Sequence, residues 1–412
     1  MATDNNRFLT FSEHKFALTQ SIASILPVTD THFMRTALRL ARRGHGSTSP
    51  NPMVGAVLVK RGKIIGRGWH RAAGQPHAEI EALRDAERRG HSPLGATLYV
   101  TLEPCCTHGR TPPCTEAIIR SAIKRVVAGT TDPNPHHAGK GFKILRRAGI
   151  EASELFQSSQ QVAAACAELN EAFNHFIVHR TPLVVVKAAM TLDGKIATAA
   201  GESKWITGPE SRTHAMHLRQ GADAILVGVN TVLADDPSLT VRLPGKAAPS
   251  RLRRIILDSR ARTPLNAKVV SDEYAHLTTI VVCHNAPKAR VKALARKANV
   301  LVAPEGRKTQ HATRNTRPNL SWLLKRLGKE NVTHLLVEGG GEVNASFLFE
   351  GMAQRVAFFY APKVLGGRHS KRAVAGIGAT SLAEVLKLKD VNWKTFGPDL
   401  FLTARVEQQP SR

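Results

Sequence analysis

The sequence predicts an α/β protein with two domains. The chain has 412 residues, more than one hydrophobic core usually organises, and 42% of them are hydrophobic, which is enough to fill two cores. Short β-branched runs alternate with helical patterns along most of the chain, as is typical of sheets covered by helices. Each half also carries its own group of chemically distinctive residues.

The first domain is predicted over residues 29–178, after an extension, residues 1–28, that we expect to be poorly ordered. Its elements follow from helix caps, apolar periodicity and turn residues. In order, they are a helix from Thr29 or Asp30 to Gly44, strands Val54–Val59 and Ile64–Trp69, a helix from Pro76-His77, strand Leu98–Leu102, a helix from Pro112-Pro113, strand Val126–Gly129, a helix over Phe142–Ala148 and a long helix over Gln160–Phe176. The pattern predicts a mixed sheet with helices on both faces.

This domain contains the ligands of a metal site. His77 is followed two residues later by Glu79, and Cys105 and Cys114 come after the next predicted strand. One imidazole and two thiolates suit zinc, and three protein ligands leave the fourth position to a water whose pKa the metal lowers. We therefore predict a catalytic zinc site with His77, Cys105 and Cys114 as ligands. Glu79 would not be a ligand and would move protons between the water and a leaving amine.

The spacing of the two cysteines departs from a pattern common to zinc deaminases, His-x-Glu followed by Pro-Cys-x-x-Cys. Cys105 and Cys114 are nine positions apart. A longer loop between the thiolates can close over a small substrate. Both predicted helix starts point positive dipole ends at the metal, which favours the thiolate of Cys114. The alternative is a closed structural zinc site in which Cys106 or His108 is the fourth ligand.

The second domain is predicted over residues 179–412, after a polar boundary at Arg180-Thr181-Pro182. Lys187 directly follows its first strand. The predicted elements are strands Leu183–Val186, Ala224–Val229, Arg254–Leu257 and Thr279–Val282, a helix over Leu320–Leu327, strand His334–Val337 and a helix from Val343. The loop Glu338-Gly339-Gly340-Gly341 precedes the last helix, where glycine N–H groups and a helix start can approach a phosphate. By itself this loop also fits an ordinary tight turn.

Multi-residue blocks in both halves carry a resemblance to a known family. The blocks are Asn51-Pro52-Met53-Val54-Gly55-Ala56-Val57, Gly74-Gln75-Pro76-His77-Ala78-Glu79, Glu103-Pro104-Cys105 with Gly109-Arg110-Thr111-Pro112-Pro113-Cys114, Lys187, Thr191-Leu192-Asp193-Gly194, Gly201-Glu202-Ser203-Lys204-Trp205-Ile206-Thr207 and Val232-Leu233-Ala234-Asp235-Asp236-Pro237. In this order they resemble the bifunctional deaminase/reductase family of riboflavin biosynthesis, over roughly residues 30–405. The resemblance implies a cytidine-deaminase-like three-layer N-terminal domain and a dihydrofolate-reductase-like C-terminal domain.

The resemblance also implies two reactions on one phosphorylated pyrimidine. The first domain would hydrolytically deaminate 2,5-diamino-6-ribosylamino-4(3H)-pyrimidinone 5′-phosphate. The second would reduce the ribosyl group of the product to ribityl with NADPH, giving 5-amino-6-ribitylaminouracil 5′-phosphate. One zinc ion per chain and NADPH are the implied cofactors, and we expect no other.

The same resemblance assigns residues to the two sites. Asn51 would contact the pyrimidine. Lys187 and Asp193 are our own candidates for polar catalytic support near the sugar. The positions implied to contact NADPH are Ala189, Trp205, Thr231, Asp235, Ser259, Gly340, Gly341, Glu342, Val343, Asn344, Ala345 and Ser346. The positions implied to hold the substrate in the reductase half are Ser203, Arg219, Leu239, Arg242 and Glu338, with Arg219 and Arg242 on its phosphate.

The net charge of +26 invites a nucleic-acid interpretation. However, the basic residues are spread over many segments, aromatic residues make up only 5% of the chain, and a basic cleft also attracts phosphorylated substrates. We expect a homo-oligomer that acts on small phosphorylated pyrimidines and binds neither nucleic acid nor membrane. Two alternatives are a nucleic-acid-editing deaminase, which leaves the second domain unexplained, and a nucleic-acid-binding module, which explains the charge alone.

The chain is expected to be cytoplasmic. It has no apolar run long enough to span a bilayer, and its beginning lacks the features of a secretory signal. Beyond the two proposed ligands, the cysteines Cys106, Cys166 and Cys283 are scattered, which favours reduced thiols over a disulfide framework.

Overall fold

The structure is a computed structural model that describes residues 29–108, 112–155, 159–243, 251–306 and 317–407. The extension at residues 1–28 lies outside these ranges, and so do residues 109–111 of the loop between Cys105 and Cys114. Within the described ranges, no helix has the length and apolar character needed to cross a membrane.

The first domain has three layers around a five-stranded mixed sheet. Its elements are α1 (Asp30–Ala41), β1 (Gly55–Lys60), β2 (Lys63–Trp69), α2 (Ala78–Arg88), β3 (Thr97–Val100), α3 (Cys114–Arg120), β4 (Arg125–Ala128), α4 (Lys140–Arg147), β5 (Glu151–Glu154), α5 (Gln160–Leu169) and α6 (Glu171–His179). The strand order is β2-β1-β3-β4-β5, with β3, β4 and β5 parallel and β1 antiparallel to both of its neighbours.

Alternating side chains of this sheet pack into two separate cores. Leu58 and Val100 face α2, α3 and α4, whereas Val57 and Tyr99 face α1 and α5. This alternation follows from the two-residue period of a strand, which sends successive side chains to opposite faces. The predicted mixed sheet with helices on both faces is therefore confirmed.

Two predicted details of the first domain are wrong. His77 is not in the first turn of α2 but precedes it as the N-cap residue, with extended backbone angles (φ −71°, ψ 164°). The predicted helix over residues 160–176 is two helices, because Asn170 between α5 and α6 leaves the helical conformation (φ −111°, ψ 26°). Its side chain instead hydrogen-bonds to the backbone of Met53.

The second domain is organised by a nine-stranded sheet. Its elements are β6 (Leu183–Thr191), β7 (Lys195–Ala197), α7 (Pro209–Gln220), β8 (Ala224–Gly228), α8 (Val229–Asp235), β9 (Arg253–Leu257), α9 (Lys268–Ser271), β10 (Thr278–Cys283), α10 (Lys288–Ala295), β11 (Asn299–Ala303), α11 (Leu320–Lys329), β12 (His334–Val337), α12 (Gly341–Phe349), β13 (Arg355–Ala361), β14 (Lys371–Arg372), β15 (Leu388–Phe396) and β16 (Asp399–Val406). The order is β11-β10-β9-β8-β12-β6-β13-β16-β15, parallel from β11 to β13 and antiparallel beyond.

The predicted strands of this domain are present, but β6 is longer than predicted. It continues to Thr191, so Lys187 lies inside the strand rather than after it. The additional residues of β6 keep the alternation of a strand. Ala188 and Met190 are buried, whereas Lys187 and Ala189 on the other face are only half-buried. Lys187 and Ala189 therefore face the same side of the sheet.

Helix α6 contacts both domains. Phe173 packs against the core of the first domain, and Ala172 packs against a core of the second. Glu171 forms ion pairs with Arg355 on β13 and Arg405 on β16. We propose that the boundary falls between α6 and β6, at residues 180–182, so that α6 ends the first domain while lying against the second.

Candidate active sites

Two helix starts and the segment after β3 converge at one end of the first domain. His77 caps α2, Cys114 is the first residue of α3, and Cys105 lies between β3 and α3. The Cys114 Sγ is 3.3 Å from His77 Nδ1, and the Cys105 Sγ is 3.5 Å from the same nitrogen. All three potential ligand atoms lie within 4.8 Å of one another. The three predicted ligands are thus brought together.

The separations fit tetrahedral zinc. Zn–S bonds of about 2.3 Å and Zn–N bonds of about 2.0–2.1 Å place sulfur and nitrogen roughly 3.5 Å apart on a tetrahedron. No fourth His, Cys, Asp or Glu from the described part of the chain belongs to the cluster. His108, one alternative fourth ligand, contacts Glu116 at 3.2 Å. The donor set thus fits the catalytic type of zinc site rather than the closed structural type.

The charges in this cluster depend on one another. Hydrogen bonds from the Cys114 thiol and from His77 lower the pKa of Cys105, and the same contact raises the pKa of Cys114. The hydrogen bond with Cys105 raises the pKa of His77 to about 8. A divalent cation would reverse the preferences of His77 and Cys114 and strengthen that of Cys105, because coordination requires neutral imidazole and favours both thiolates.

Glu79 is a buried carboxylate beside the cluster. It lies in the first turn of α2 and is only 3% exposed. Burial raises the pKa of Glu79 to about 7, and the nearby Cys105 sulfur acts in the same direction. A metal ion at the cluster would lower that pKa. Burial and a bound metal thus act on this pKa in opposite directions, and a buried carboxyl beside the cluster suits a group that must take up and release a proton.

Asn51 lies beside a histidine to which sequence reasoning assigned no role. The Asn51 Nδ2 is 3.2 Å from His70 Nε2, and His70 Nδ1 is 3.1 Å from the carbonyl oxygen of Pro76. A carbonyl only accepts, so Nδ1 carries the proton and Nε2 accepts from the Asn51 amide. His70 is 3% exposed, its burial lowers its pKa, and its ring meets the His77 ring edge-on. The clue in the sequence is that His70 directly follows the predicted strand Ile64–Trp69, shortly before His77.

Three charged side chains meet in the second domain. Arg219 donates from Nε and Nη2 to the two carboxylate oxygens of Glu338, at 2.8 and 2.9 Å, and from Nη1 to the carbonyl oxygen of Thr240. Lys187 Nζ is 3.5 Å from Glu338 Oε2. Although burial opposes it, Arg219 and Lys187 lower the pKa of Glu338 to about 2. Two cations against one carboxylate leave a net positive charge here.

Two helix starts lie side by side at the same edge of the large sheet. Strands β8 and β12 are parallel neighbours, and α8 and α12 begin just after their carboxyl ends. A Cβ at Gly341 would lie 2.3 Å from the carbonyl oxygen of Arg372, whereas one at Gly340 would meet nothing within 4 Å. The glycine loop is thus tightly packed on one side and open on the other. This arrangement fits the pyrophosphate of a dinucleotide, which binds at helix starts beyond the carboxyl ends of parallel strands.

The other residues implied for NADPH differ in what they can offer. Asn344 and Ala345 are 0% and 5% exposed, and Asn344 Nδ2 donates to the carbonyl oxygen of Ala373. Their side chains pack into the protein, so only their backbone can face a cofactor. Trp205 is 63% exposed, with the Arg212 guanidinium 4.6 Å above its ring. The half-buried positions are Ala189, Thr231, Asp235, Ser259, Gly340, Gly341, Val343 and Ser346, while Glu342 is exposed.

The residues implied for the reductase substrate are likewise placed differently. Ser203 donates to Asp235 at 3.2 Å, which joins a substrate position to a cofactor position. Leu239 is 3% exposed within a hydrophobic core, so only its backbone can meet a ligand. Arg242 is exposed. Asp193 accepts hydrogen bonds from Thr191 Oγ1 and from the N–H groups of residues 365 and 366, which tie the turn after β6 to that segment.

Comparison with known proteins finds relatives for both halves of the chain. A family model described as the RibD C-terminal domain matches residues 182–402, and one described as the cytidine and deoxycytidylate deaminase zinc-binding region matches residues 27–130. The riboflavin biosynthesis protein RibD of Aquifex aeolicus is 46% identical over 374 residues, which cover 90% of this chain and 97% of that protein. The chain belongs to the RibD family.

Further relatives agree with this membership. RibD of Escherichia coli is 37% identical over 382 residues, and the aligned region covers 90% of this chain and 98% of that protein. The structure of RibD from Acinetobacter baumannii superimposes with a TM-score of 0.78 at 35% identity, over 92% of this chain and 99% of that one. A structure from Thermotoga maritima superimposes with a TM-score of 0.76 at 34% identity, over 92% of this chain and 98% of that one. It is described as a diaminohydroxyphosphoribosylaminopyrimidine deaminase/5-amino-6-(5-phosphoribosylamino)uracil reductase.

RibD membership confirms the main sequence predictions. The fold is α/β, with a cytidine-deaminase-like N-terminal domain and a dihydrofolate-reductase-like C-terminal domain. The chain is a bifunctional enzyme of riboflavin biosynthesis, a zinc-dependent deaminase joined to an NADPH-dependent reductase. The interpretation as a non-enzymatic binding module is therefore wrong.

The zinc cluster predicts different effects for two neighbouring cysteines. Cys114→Ala removes one of three ligands, so the purified protein should lose most of its zinc, whereas wild type should hold about one zinc per chain. Cys106→Ala is the matched control and should retain the metal, because Cys106 lies outside the cluster. Metal analysis by mass spectrometry measures both. Equal loss from Cys106→Ala would show that the site is closed by a fourth protein ligand.

Proposed function

We propose that the zinc domain deaminates 2,5-diamino-6-ribosylamino-4(3H)-pyrimidinone 5′-phosphate. The reductase domain then converts the ribosyl group of the product to ribityl, giving 5-amino-6-ribitylaminouracil 5′-phosphate. The observation that carries this proposal is that one chain combines a cluster of three potential zinc ligands beside the buried carboxylate of Glu79 with a second site. That second site has the glycine loop after β12 and the positively charged pocket of Lys187, Arg219 and Glu338. The two activities in the description of the Thermotoga maritima relative support the same substrate class.

For deamination, we propose that His77, Cys105 and Cys114 hold zinc, which when bound supplies a Lewis acid that activates water. Glu79 takes a proton from the water as its oxygen adds to the amine-bearing ring carbon. Glu79 passes this proton to the adjacent ring nitrogen, which receives the electron pair of the C=N bond. Glu79 then moves the remaining hydroxyl proton to the leaving amine, so that the C–N bond breaks and ammonia departs as the ring carbonyl forms. Asn51 orients the pyrimidine through its amide, which the hydrogen bond to His70 restrains.

For reduction, we propose that C1 of the ring-opened sugar accepts hydride between the glycine loop and the pocket of Lys187, Arg219 and Glu338. Lys187 supplies a polar N–H group close to the sugar, and Glu338 fixes its position. Asp193 would act less directly, by holding the turn that follows β6. NADPH would be held by the cofactor positions described above, with its pyrophosphate at the start of α12.

The two arginines proposed for the substrate phosphate are not equivalent. Arg219 already uses three of its five N–H groups on Glu338 and Thr240, so it has two left for a ligand. Arg242 is exposed. We therefore propose that Arg242 makes the main phosphate contact, with Arg219 holding the inner end of the pocket.

We also propose that the chain is a homo-oligomer that works in the cytoplasm. Strand β15 is at the edge of the large sheet, and three apolar residues of β15 and β16, Val391, Trp393 and Leu400, are 49%, 55% and 41% exposed. An apolar sheet edge in water favours pairing with another chain, and a second copy would cover it. The free cysteines fit a reducing compartment.

The role of Glu79 predicts a loss of deamination without a loss of metal. Glu79→Gln keeps the size and polarity of the side chain but cannot move a proton, so ammonia release should fall by about 10²–10⁴-fold. Zinc content and NADPH oxidation with deaminated intermediate should match wild type. The control is Glu87→Gln, an exposed position on the same helix, which should leave ammonia release unchanged. A metal-free Glu79→Gln protein would show that Glu79 is a ligand instead.

The phosphate contact predicts a selective loss in the reductase. Arg242→Ala should weaken binding of the deaminated intermediate by roughly ten- to a hundredfold, because a charge-assisted contact is worth about 1.5–3 kcal/mol. Ammonia release by the zinc domain should not change. Arg296→Ala removes an exposed arginine after α10 and should have no effect. The measurement is the ratio of KM for dephosphorylated intermediate to KM for phosphorylated intermediate. If Arg242→Ala and Arg296→Ala both keep the wild-type ratio, Arg242 does not contact the phosphate.

A further inference from the structure

We infer that Asn170 is a positioning residue for deamination, because it holds the loop that presents Asn51 to the substrate. This inference rests on the proposed role of Asn51 at the pyrimidine. Asn170 is distant in sequence from the zinc ligands and lies between α5 and α6, the last two helices of the first domain. It is only 4% exposed.

The loop in question joins α1 to β1. Within it, the N–H of Asn51 donates to the carbonyl oxygen of Thr48 at 2.8 Å, and strand pairing begins only at Gly55. Met53 lies between these two points. Its N–H donates to Asn170 Oδ1 at 2.7 Å, and its carbonyl oxygen accepts from Asn170 Nδ2 at 2.9 Å. Asn170 therefore satisfies both backbone polar groups of Met53.

The chemistry of these two contacts requires an amide. One group must accept and the other must donate, and the orientation of the amide is fixed because Met53 offers one N–H and one C=O. Aspartate has the same shape and could accept from the N–H, but its second oxygen would face the Met53 carbonyl oxygen. Alanine would leave both backbone groups of Met53, which is half-buried, without their protein partners.

Asn170 is itself held from both sides. Helix α5 packs on the sheet through Val162 and Cys166. Helix α6 is fixed to the second domain by the ion pairs of Glu171, the next residue along the chain, with Arg355 and Arg405. The residue that holds Met53 is therefore a fixed point between two packed helices.

The restraint on Met53 is transmitted to Asn51, which is two residues away. The Asn51 amide has a second restraint in its 3.2 Å contact with His70, and that contact requires the loop to keep its place. The zinc ligands lie on other elements, at the starts of α2 and α3 and after β3. Loss of the Asn170 amide should therefore disturb pyrimidine binding and leave the metal in place.

The test compares full-length Asn170→Ala and Asn170→Asp with Asn174→Ala. Asn174 is the matched control, because its Nδ2 donates to the carbonyl oxygen of Ala167 within the same helical corner and not to the loop. Both Asn170 variants should raise KM for ammonia release by about tenfold, the size expected when a hydrogen bond that holds the loop is lost, with zinc content retained. Asn174→Ala should keep the wild-type KM, and NADPH oxidation with deaminated intermediate should be normal in all three.

A double substitution separates positioning from a general structural effect. If Asn170 acts through Asn51, adding Asn170→Ala to Asn51→Ala should lower kcat/KM by less than about twofold further, because the two changes share one cause. If the fall in kcat/KM of the double variant equalled the product of the two single falls, the inference would be overturned. An equal rise in KM for Asn174→Ala, or a loss of zinc from both Asn170 variants, would overturn it as well. If Asn51→Ala left deamination unchanged, the proposed role of Asn51 would fail, and this inference with it. Asn170→Asp keeps the test decisive if the alanine variant does not fold.

Discussion

The constraint on which the first domain depends is the geometry of zinc coordination. Three donor atoms from separate segments must lie within reach of one ion, and His77, Cys105 and Cys114 do so only because two helices start next to the end of β3. Ala82 of α2 and Ile118 of α3 are buried in the same core, which sets the distance between those starts. Glu79 is buried by the same packing, and burial is what raises its pKa.

The second domain also uses helix starts, but to bind an anion rather than to hold metal ligands. Parallel strands bring the starts of α8 and α12 to one edge of the sheet, where backbone N–H groups can hold an anion without a dedicated cationic side chain. Charge is concentrated instead in the pocket of Lys187, Arg219 and Glu338, whose net charge is positive. In the function proposed above, this local positive charge would attract a phosphorylated substrate.

Sequence reasoning predicted the parts of this account that depend on local chemistry. The zinc ligands follow from residue type and spacing, and most helices and strands follow from caps and periodicity. Contacts between distant segments were not predictable in this way. The break at Asn170 depends on Met53, 117 residues away in sequence, and the burial of Leu239 depends on the core around it. The pairing of Arg219 with Glu338 likewise requires α7 to pack beside β12, which no local pattern encodes.

We expect this one chain to perform deamination first and reduction second on the same molecule. A reductase site that pairs with the new ring carbonyl leaves donors unsatisfied when it meets the amine, so it should reject the diamino substrate. The most direct measurement follows ammonia release and NADPH oxidation together after wild-type protein meets that substrate. We expect NADPH oxidation to lag behind ammonia release and never to exceed it. NADPH oxidation that preceded ammonia release, or occurred without it, would contradict the account.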